Sequence, residues 1–555
     1  MSESTRLDCV VVGYNETPFV EYEATLRRYG EDSEAYRDLK FSFVDLGDAR
    51  LNYADLLNRV YREALEPGTP HREFLSGDMP SLAAVYLTSF LRRRGLQSRY
   101  INLFQYEKEP LAELLAANPR AIALTTTLYV LNEPVIEMVK FIRQHNPDVR
   151  IIVGGPLIAN HFRRYQGHEL ATVLDDLGAD LYVVEGQGEL TLARILETLR
   201  DGGDLSQVPN LAYVDAKGPV RAGRYRINPR EEENNPLDEN LIDWNGLSDA
   251  TLGPTLQTRT ARSCAYSCSF CAYPMRAGSL TLASLDAVGR ELDAMAAQGA
   301  RNVVFIDDTF NVPLKRFKEL CRLMIERQYG FNWFSYFRCS NADEESVELA
   351  ARSGCRGVFL GIESGSPTIL TNMNKAASVE KYTNGMRWLK SHGILTFASF
   401  IVGFPGETDA TVQETLDFIQ TTRPDYYRAQ LWYCEPGTPI EGKREQYGIT
   451  GQGFSWRHAT MESLEAMDHI DRMFLTVQDS TWLPQWSFDF WIIPYMVGRG
   501  MSLEQFNALM RLAHRLLALE VAYVPPQEKR SLQQGYLRQM RDHVRQWGAP
   551  ALAAR

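Results

Sequence analysis

The sequence predicts an α/β chain in three parts: a parallel sheet with helices on both faces, a partial (β/α)6 barrel, and a helical C-terminal cap. Three observations carry this. Strand-like and helix-like runs alternate over the first 202 residues, the pattern of a parallel sheet covered on both sides. About six βα repeats follow up to residue 435, too few for the eight units and ~250 residues of a closed barrel. Beyond residue 455 strand alternation stops and helical spacing takes over. The expected parts are 1–202, a linker with a small hairpin at 203–250, the barrel at 251–445 and the cap at 446–555.

The first part opens with a strand-like run, Leu7 to Gly13, followed by an acidic, tyrosine-containing insertion. Ser81 caps a helix that stops near Gly95. Strands are expected at Arg99 to Phe104, Ala121 to Thr126, Arg150 to Val153 and Leu181 to Val184, with helices between them. Glycines fall just beyond the strand carboxyl ends, where open α/β sheets bind ligands. Pro209, Gly218, Pro219 and the polar run from Asn228 to Pro236 mark the linker. Barrel strands are expected at Leu256 to Ala261, Asn302 to Ile306, Trp333 to Arg338, Gly357 to Gly361, Leu395 to Val402 and Tyr427 to Tyr433. Chemistry belongs at their carboxyl ends. Met461 to Phe474 and Ser502 to Glu520 carry the helical spacing of the cap.

At 45% hydrophobic and 23% charged residues, the 555-residue chain is neither disordered, collagen-like nor a small disulfide scaffold. A formal net charge of -11 supplies no long-range basic field, so neither nucleic acid nor an anionic membrane is an expected partner. The N-terminus lacks an apolar signal core, and no apolar run approaches the ~20 residues that span a bilayer. The expected location is the cytoplasm. Of eight cysteines, five are scattered and three clustered, which in a reducing compartment points to metal or redox chemistry.

The cluster is the strongest signal. Arg262-Ser-Cys264-Ala-Tyr-Ser-Cys268-Ser-Phe270-Cys271 gives C-x3-C-x2-C directly after the first barrel strand. Three thiolates on one short loop suit three irons of a cubane whose usual complement is four thiolates. The fourth iron is then left for a small molecule. A zinc site lacking a nearby fourth ligand and a chance grouping of thiols are the alternatives.

With these residues the sequence resembles the radical S-adenosylmethionine (SAM) superfamily, in which this motif, with an aromatic such as Phe270, binds a [4Fe-4S] cluster. The resemblance implies that SAM chelates the open iron and is cleaved to a 5'-deoxyadenosyl radical. It also implies SAM contacts at other strand ends. Asp307 and Asp308 end the second strand and match the amino-group site, although Asp308 also suits a helix cap. Arg338, after the third strand, suits the SAM carboxylate. Glu363, after the fourth, suits ribose or the amino group, or is a solvated loop acid. Gly403, Phe404 and Gly406, after the fifth, allow backbone to approach adenine, or form a tight turn into a helix.

The first part resembles the Rossmann-like cobalamin-binding domain that precedes the barrel in one branch of that superfamily. Thr125, Thr126, Thr127, Leu128 and Tyr129, then Gly154 and Gly155, then Glu185, Gly186, Gly188 and Glu189 fall where that domain contacts the corrin and nucleotide tail. A nucleotide, a flavin or a purely structural role fits the same glycines. The D-x-H-x-x-G pattern of many cobalamin proteins is absent, since Asn102-Leu-Phe-Gln-Tyr-Glu107 holds no histidine. Base-off cobalamin without a histidine ligand is therefore expected, with Leu128 or Tyr129 against the cobalt.

Over nearly the whole chain, Val11 to Asn15, Gly30 to Leu39, Asp307 to Pro313 and Arg428 to Tyr433 resemble the phosphinothricin-type P-methyltransferase group, within the class B cobalamin-dependent radical SAM methyltransferases. The resemblance implies hydrogen-atom abstraction from substrate, then methyl transfer from methylcobalamin to phosphorus of an H-phosphinate or to unactivated carbon, in natural-product biosynthesis. Cofactors and a small-molecule or carrier-bound substrate would align in a dry cleft. A reductant such as flavodoxin or ferredoxin would supply electrons. Arg428 and Tyr433, with Gln430 and Trp432, are candidates to face substrate; Arg428 suits an anion, or pairs with a nearby acid. Trp456 and His458 are weaker candidates. Ring contraction or cyclisation with the same cofactors, and a cobalamin-binding sensor without catalysis, are the competing functions.

Overall fold

The computed structural model describes residues 6–69, 72–75, 78–129, 131–214, 225–247, 252–484 and 491–548. They fall into two compact units.

The first unit comprises Met1–Pro18, Gly77–Leu252 and Asp286–Gln298. Its seven-stranded sheet runs Ser98–Leu103, Cys9–Tyr14, Ala121–Thr125, Arg150–Gly154, Leu181–Val183, Leu211–Val214, Tyr225–Ile227. The first five strands in that order are parallel. Their near-continuous apolar sequences match burial on both faces, and Val10, Val12, Ile122, Leu124, Ile151 and Val153 sit in one core. Ser81 caps the helix Leu82–Arg92, and Gly95 takes a positive φ (73°) just past its end. Strand order reverses on either side of Cys9–Tyr14, which places a topological switch point at the carboxyl ends of Cys9–Tyr14 and Ala121–Thr125.

The stretch expected as a linker with a small hairpin does hold an antiparallel strand pair, Leu211–Val214 with Tyr225–Ile227, but this pair joins the sheet as its edge through Leu181–Val183. Residues 215–224, which include Gly218 and Pro219, lie outside the described residues. The helix Leu285–Ala297 follows a barrel strand in sequence but groups mainly with the first unit. There the buried Trp244 donates its Nε1–H to the buried Glu291 at 3.1 Å.

The second unit comprises Phe19–Ser76, Gly253–Leu285 and Gly299–Arg555. Its sheet runs in chain order: Thr255–Thr258, Asn302–Phe305, Asn332–Phe337, Cys355–Glu363, Leu395–Val402, Tyr426–Leu431, Thr481–Trp482. Every adjacent pair is parallel. The six expected barrel strands are present, and the short seventh, Thr481–Trp482, comes from the part read as helical. A three-stranded antiparallel sheet, Thr450–Gln452, Ser455–His458 and Met461–Glu462, also lies there. Strands this short carry too little alternation to register as a period of two. The helices Ser463–Thr476, Leu503–Val521 and Pro526–Trp547 supply the helical character.

The insertion Phe19–Ser76 interrupts the first sheet in sequence, yet it groups with the barrel unit. Phe41 packs on Phe474 and Trp482 at 5.3 and 4.9 Å between ring centroids. Arg37 reaches Asp468 and Asp471 at 2.8 and 2.6 Å, and Ser463 donates to Glu34 at 2.7 Å. The boundary drawn at 1–202 therefore joined a segment to the wrong compact unit. Hydrophobic periodicity reports which residues are buried, not which core receives them. Among the described residues no helix is long and apolar enough to cross a membrane.

Candidate active site

In the barrel unit, the loop after the first strand begins on a buried clamp. Asp307, at the end of the second strand, accepts Thr260 N–H and Oγ1–H, both at 2.6 Å, and Ala261 N–H at 2.9 Å. Burial pushes its pKa up, and these donors oppose the shift. Asp307 thus fixes the root of the cysteine loop, a role the sequence did not indicate. Asp308, next to it, is exposed, and its pKa is pushed up to about 7, by partial withdrawal of the carboxyl from water first and by the Asp307 charge second. It does not cap the following helix, whose N-cap is Pro313.

All eight cysteines are free thiols. Cys268 is buried, and Cys264 and Cys271 are partly exposed. Cys264 lies 3.7 Å from Thr309 Oγ1. Burial raises the pKa of Cys268, which Lys375 and Arg338 lower and Cys264 raises; Cys271 is raised by burial and by both other thiols. The three sulfurs therefore share one electrostatic site. The other five cysteines are buried, and one of them, Cys339, adjoins Arg338.

Arg338 supplies the observation that asks for an anion. Its guanidinium is 3.6 Å from the Tyr266 ring centroid, and Arg338 is 6% exposed. Its Nε and Nη2 are buried without a hydrogen-bond partner. Such groups are costly unless a ligand completes them. Asn311 holds the backbone, accepting Arg338 N–H at 2.8 Å and donating to its carbonyl at 3.0 Å.

Glu363 is not a solvated acid. It is buried, takes a positive φ of 68°, and accepts from Lys375 Nζ at 2.9 Å. Gly403 and Gly406 have φ of 87° and 93°. A Cβ on Gly403 would meet the Trp456 ring at 2.3 Å, so this turn does need glycine. The helix beginning after it is capped by Thr408 with Thr411. Phe404 is fully buried, with its ring 6.4 Å from Phe270 and 5.6 Å from Trp432. Glu407 accepts Gly403 N–H, and burial pushes its pKa up to about 8. Trp456 donates to the Trp432 carbonyl at 2.7 Å and His458 Nε2 lies 3.2 Å from the Gly403 carbonyl, so both hold this turn.

Arg428 lies within the sixth strand, Tyr426–Leu431, rather than at its end; it is buried and donates to Gln430, while Tyr433, two residues past the end, is half-exposed. The insertion adds Asp38, which the sequence did not flag. Asp38 has a pKa pushed up to about 6 by burial, opposed by the Arg428 charge and by the Leu431 N–H. Tyr22 faces both Asp38 and Tyr433.

In the first unit, the threonine run lies at the switch point. Thr125 donates to the Gly13 carbonyl at 2.7 Å and Thr126 to that of Gly154 at 2.9 Å, so both tie strands together. Tyr129 accepts Asn15 N–H at 2.6 Å and stacks on Tyr14. Thr127 is exposed, and Leu128 is 72% exposed. Gly155 has φ of 113°, and a Cβ there would meet Thr126 Oγ1 at 2.8 Å. A Cβ on Gly154 or Gly188 would meet Val183 at 3.1 or 2.4 Å. Glu185 accepts Gly186 N–H at 2.8 Å, and Gln187 Oε1 is buried without a partner. Glu189 is buried beside Asn235, and the helix N-terminus it opens is already filled by Glu233, which accepts Leu190 and Thr191 N–H, both at 2.8 Å. An apolar side chain bared at a switch point and an orphaned amide oxygen suit a large, partly apolar cofactor.

Residues 258–419 match the model of the radical SAM superfamily, and residues 74–196 match that of the B12 binding domain. The two regions are thus similar to a radical SAM domain and a B12-binding domain. The chain is 25% identical over 359 residues to an uncharacterized methyltransferase of Pyrococcus horikoshii, covering 64% of this chain and 75% of that protein. It is 25% identical over 370 residues to the anaerobic magnesium-protoporphyrin IX monomethyl ester cyclase of Rubrivivax gelatinosus, covering 63% and 64% of the two chains. The fold is shared with the radical SAM methyltransferase TsrM from Kitasatospora setae with cobalamin and a [4Fe-4S] cluster bound, at a TM-score of 0.56 and 19% identity, covering 84% of this chain and 97% of that one. It is also shared with the cobalamin-dependent enzyme OxsB, at a TM-score of 0.52 and 18% identity, covering 88% and 76%. The two matches imply a [4Fe-4S] cluster, SAM and cobalamin. The chain's three clustered thiols and the orphaned Arg338 guanidinium fit the first two, and the bared Leu128 at the switch point fits the third.

Proposed function

We propose that this chain is a cobalamin-dependent radical SAM methyltransferase that acts on an H-phosphinate phosphorus or an unactivated carbon in natural-product biosynthesis. The observation that carries the reading is the cysteine loop at the carboxyl end of the first barrel strand, facing a buried guanidinium that lacks an anion. When bound, the cluster and SAM supply a carbon radical able to remove a hydrogen atom, and cobalamin carries a methyl group.

The chain's own residues do the positioning. Cys264, Cys268 and Cys271 hold three irons. Arg338 pairs with the SAM carboxylate, its fork oriented by stacking on Tyr266. Gly403, Phe404 and Gly406 bring backbone toward adenine, and Asp308 accepts from the SAM amino group. Leu128 would rest against the corrin, in a base-off mode without a histidine ligand. Arg428, Gln430, Tyr433 and Asp38 form the substrate wall. With Asp38 facing Arg428, that wall offers paired donors and acceptors rather than a bare cation. A reductant such as flavodoxin or ferredoxin supplies electrons.

Incubation of the anaerobically reconstituted chain with methyl-labelled SAM, reductant and candidate H-phosphinates or carbon substrates tests the reading. Label in the product supports it. Turnover without label overturns methyl transfer and assigns a rearrangement such as ring contraction or cyclisation.

A further inference from the structure

Behind the cysteine loop lies a turn that no sequence signal marks. The helix Pro367–Asn372 ends there, and Asn374 and Ala376 both take left-handed backbone, with φ of 49° and 50°. That conformation is uncommon for residues other than glycine and persists where surrounding contacts demand it. Here the contacts run to the cysteine loop. Ser269 N–H donates to the Met373 carbonyl at 2.8 Å, and Ser269 Oγ–H to that of Asn372 at 3.1 Å. Asn374 Nδ2 donates to the Ser267 carbonyl at 2.9 Å. These bonds flank Cys268 on both sides in sequence.

The same turn delivers Lys375, whose N–H is anchored on the Leu370 carbonyl at 3.0 Å. The side chain is buried, 6% exposed, with Nζ 2.9 Å from Glu363 Oε1 and 5.4 Å from the Phe270 ring centroid. A buried ammonium is expensive unless paired. Glu363 meets that need with one contact, while an ammonium has three donors. Phe270 stands between Cys268 and Cys271 in the loop, so the ammonium lies beside two of the three thiols, with Glu363 on its other side.

We propose that Lys375 is a positioning residue of the iron-sulfur site: its turn staples the cysteine loop, and its ammonium, held in place by Glu363, raises the reduction potential of a cluster bound there. Reduction adds negative charge to the cluster, and a nearby positive charge stabilises the reduced form. The inference rests on the proposed assignment of Cys264, Cys268 and Cys271 as iron ligands.

The test is a redox titration of the anaerobically reconstituted full-length chain, followed by electron paramagnetic resonance of the reduced cluster. Lys375→Met moves the midpoint to more negative potential, Glu363→Gln moves it to more positive potential, and Lys375→Arg stays near the wild type. The opposite signs separate a charge effect from general loosening of the loop, which would move both variants the same way. Unmoved midpoints, or shifts of one sign, in variants with wild-type iron content overturn the inference and leave the proposed function standing. Should Lys375→Met fail to hold iron, the Glu363→Gln and Lys375→Arg arms decide by the same criteria. A wild-type chain that takes up no cluster overturns the proposed function, and this inference with it.

Discussion

The Tyr129 hydroxyl accepts the backbone N–H of Asn15 at 2.6 Å, and this bond joins the carboxyl ends of the two strands that flank the switch point. Asn15 and Tyr129 are both buried, so the bond commits Tyr129 to the sheet and leaves Leu128, its neighbour, as the residue facing outward. The pair separates two roles that the sequence left merged. Tyr129→Phe strands a buried donor and is expected to lower unfolding free energy by about 1–3 kcal/mol in urea titration. Leu128→Ala is expected to change stability by less than about 0.5 kcal/mol. The Leu128 variant is also expected to retain less cobalamin after gel filtration.

Arg338 provides a binding prediction. Arg338→Leu removes a charge-assisted fork, and the loss of SAM affinity in the reconstituted chain is expected to be roughly 10- to 100-fold by equilibrium dialysis. Arg338→Lys is expected to rescue poorly, because an ammonium neither forks onto a carboxylate nor stacks as a plane on Tyr266. Full affinity in Arg338→Leu would place the SAM carboxylate elsewhere.

Glu407 makes stability depend on pH in a defined direction. Its pKa is raised from 4.5 to about 8, so between those values the folded chain holds a proton that the unfolded chain has lost. Stability from this group is present at low pH and falls as pH rises, until the loss is complete above about 8. Glu407→Gln is expected to flatten the decline in Tm between about pH 4.5 and 8. An unchanged slope would show that Glu407 is ionised in the fold.

How much was legible in the sequence divides along one line. The parallel strands of both sheets were readable, because fully buried strands are nearly continuous apolar runs, as in Val10-Val11-Val12 and Phe397-Ala398-Ser399-Phe400. The three thiols were readable because their spacing is local. Residues whose roles depend on distant partners were not. Asp38 lies 390 positions before Arg428 (428 − 38), in the acidic insertion that chain order assigns to the first part but that groups with the barrel unit. Lys375 and Glu233 carry no local sequence signal of their own, and only the fold turns one toward Glu363 and the other into the helix end at Leu190. Glu189 misled in the same way, since a glutamate opening a glycine-flanked helix suggests a ligand site, whereas Glu233 fills that end.

The cysteine loop admits a sharp comparison among thiols. Cys268→Ala is expected to abolish iron binding and the brown absorption of the reconstituted chain. Cys321→Ala, on the helix Leu314–Arg327, and Cys355→Ala, at the amino end of the fourth barrel strand, are expected to retain both.

The central claim is that Cys264, Cys268 and Cys271 hold a four-iron cluster in a chain that also binds cobalamin. Quantifying iron, sulfide and cobalamin in anaerobically purified, reconstituted protein tests it most directly. The account predicts about four irons and about four sulfides per chain, together with stoichiometric cobalamin. Zinc in place of iron, or iron uptake that survives replacement of all three cysteines by alanine, would contradict it.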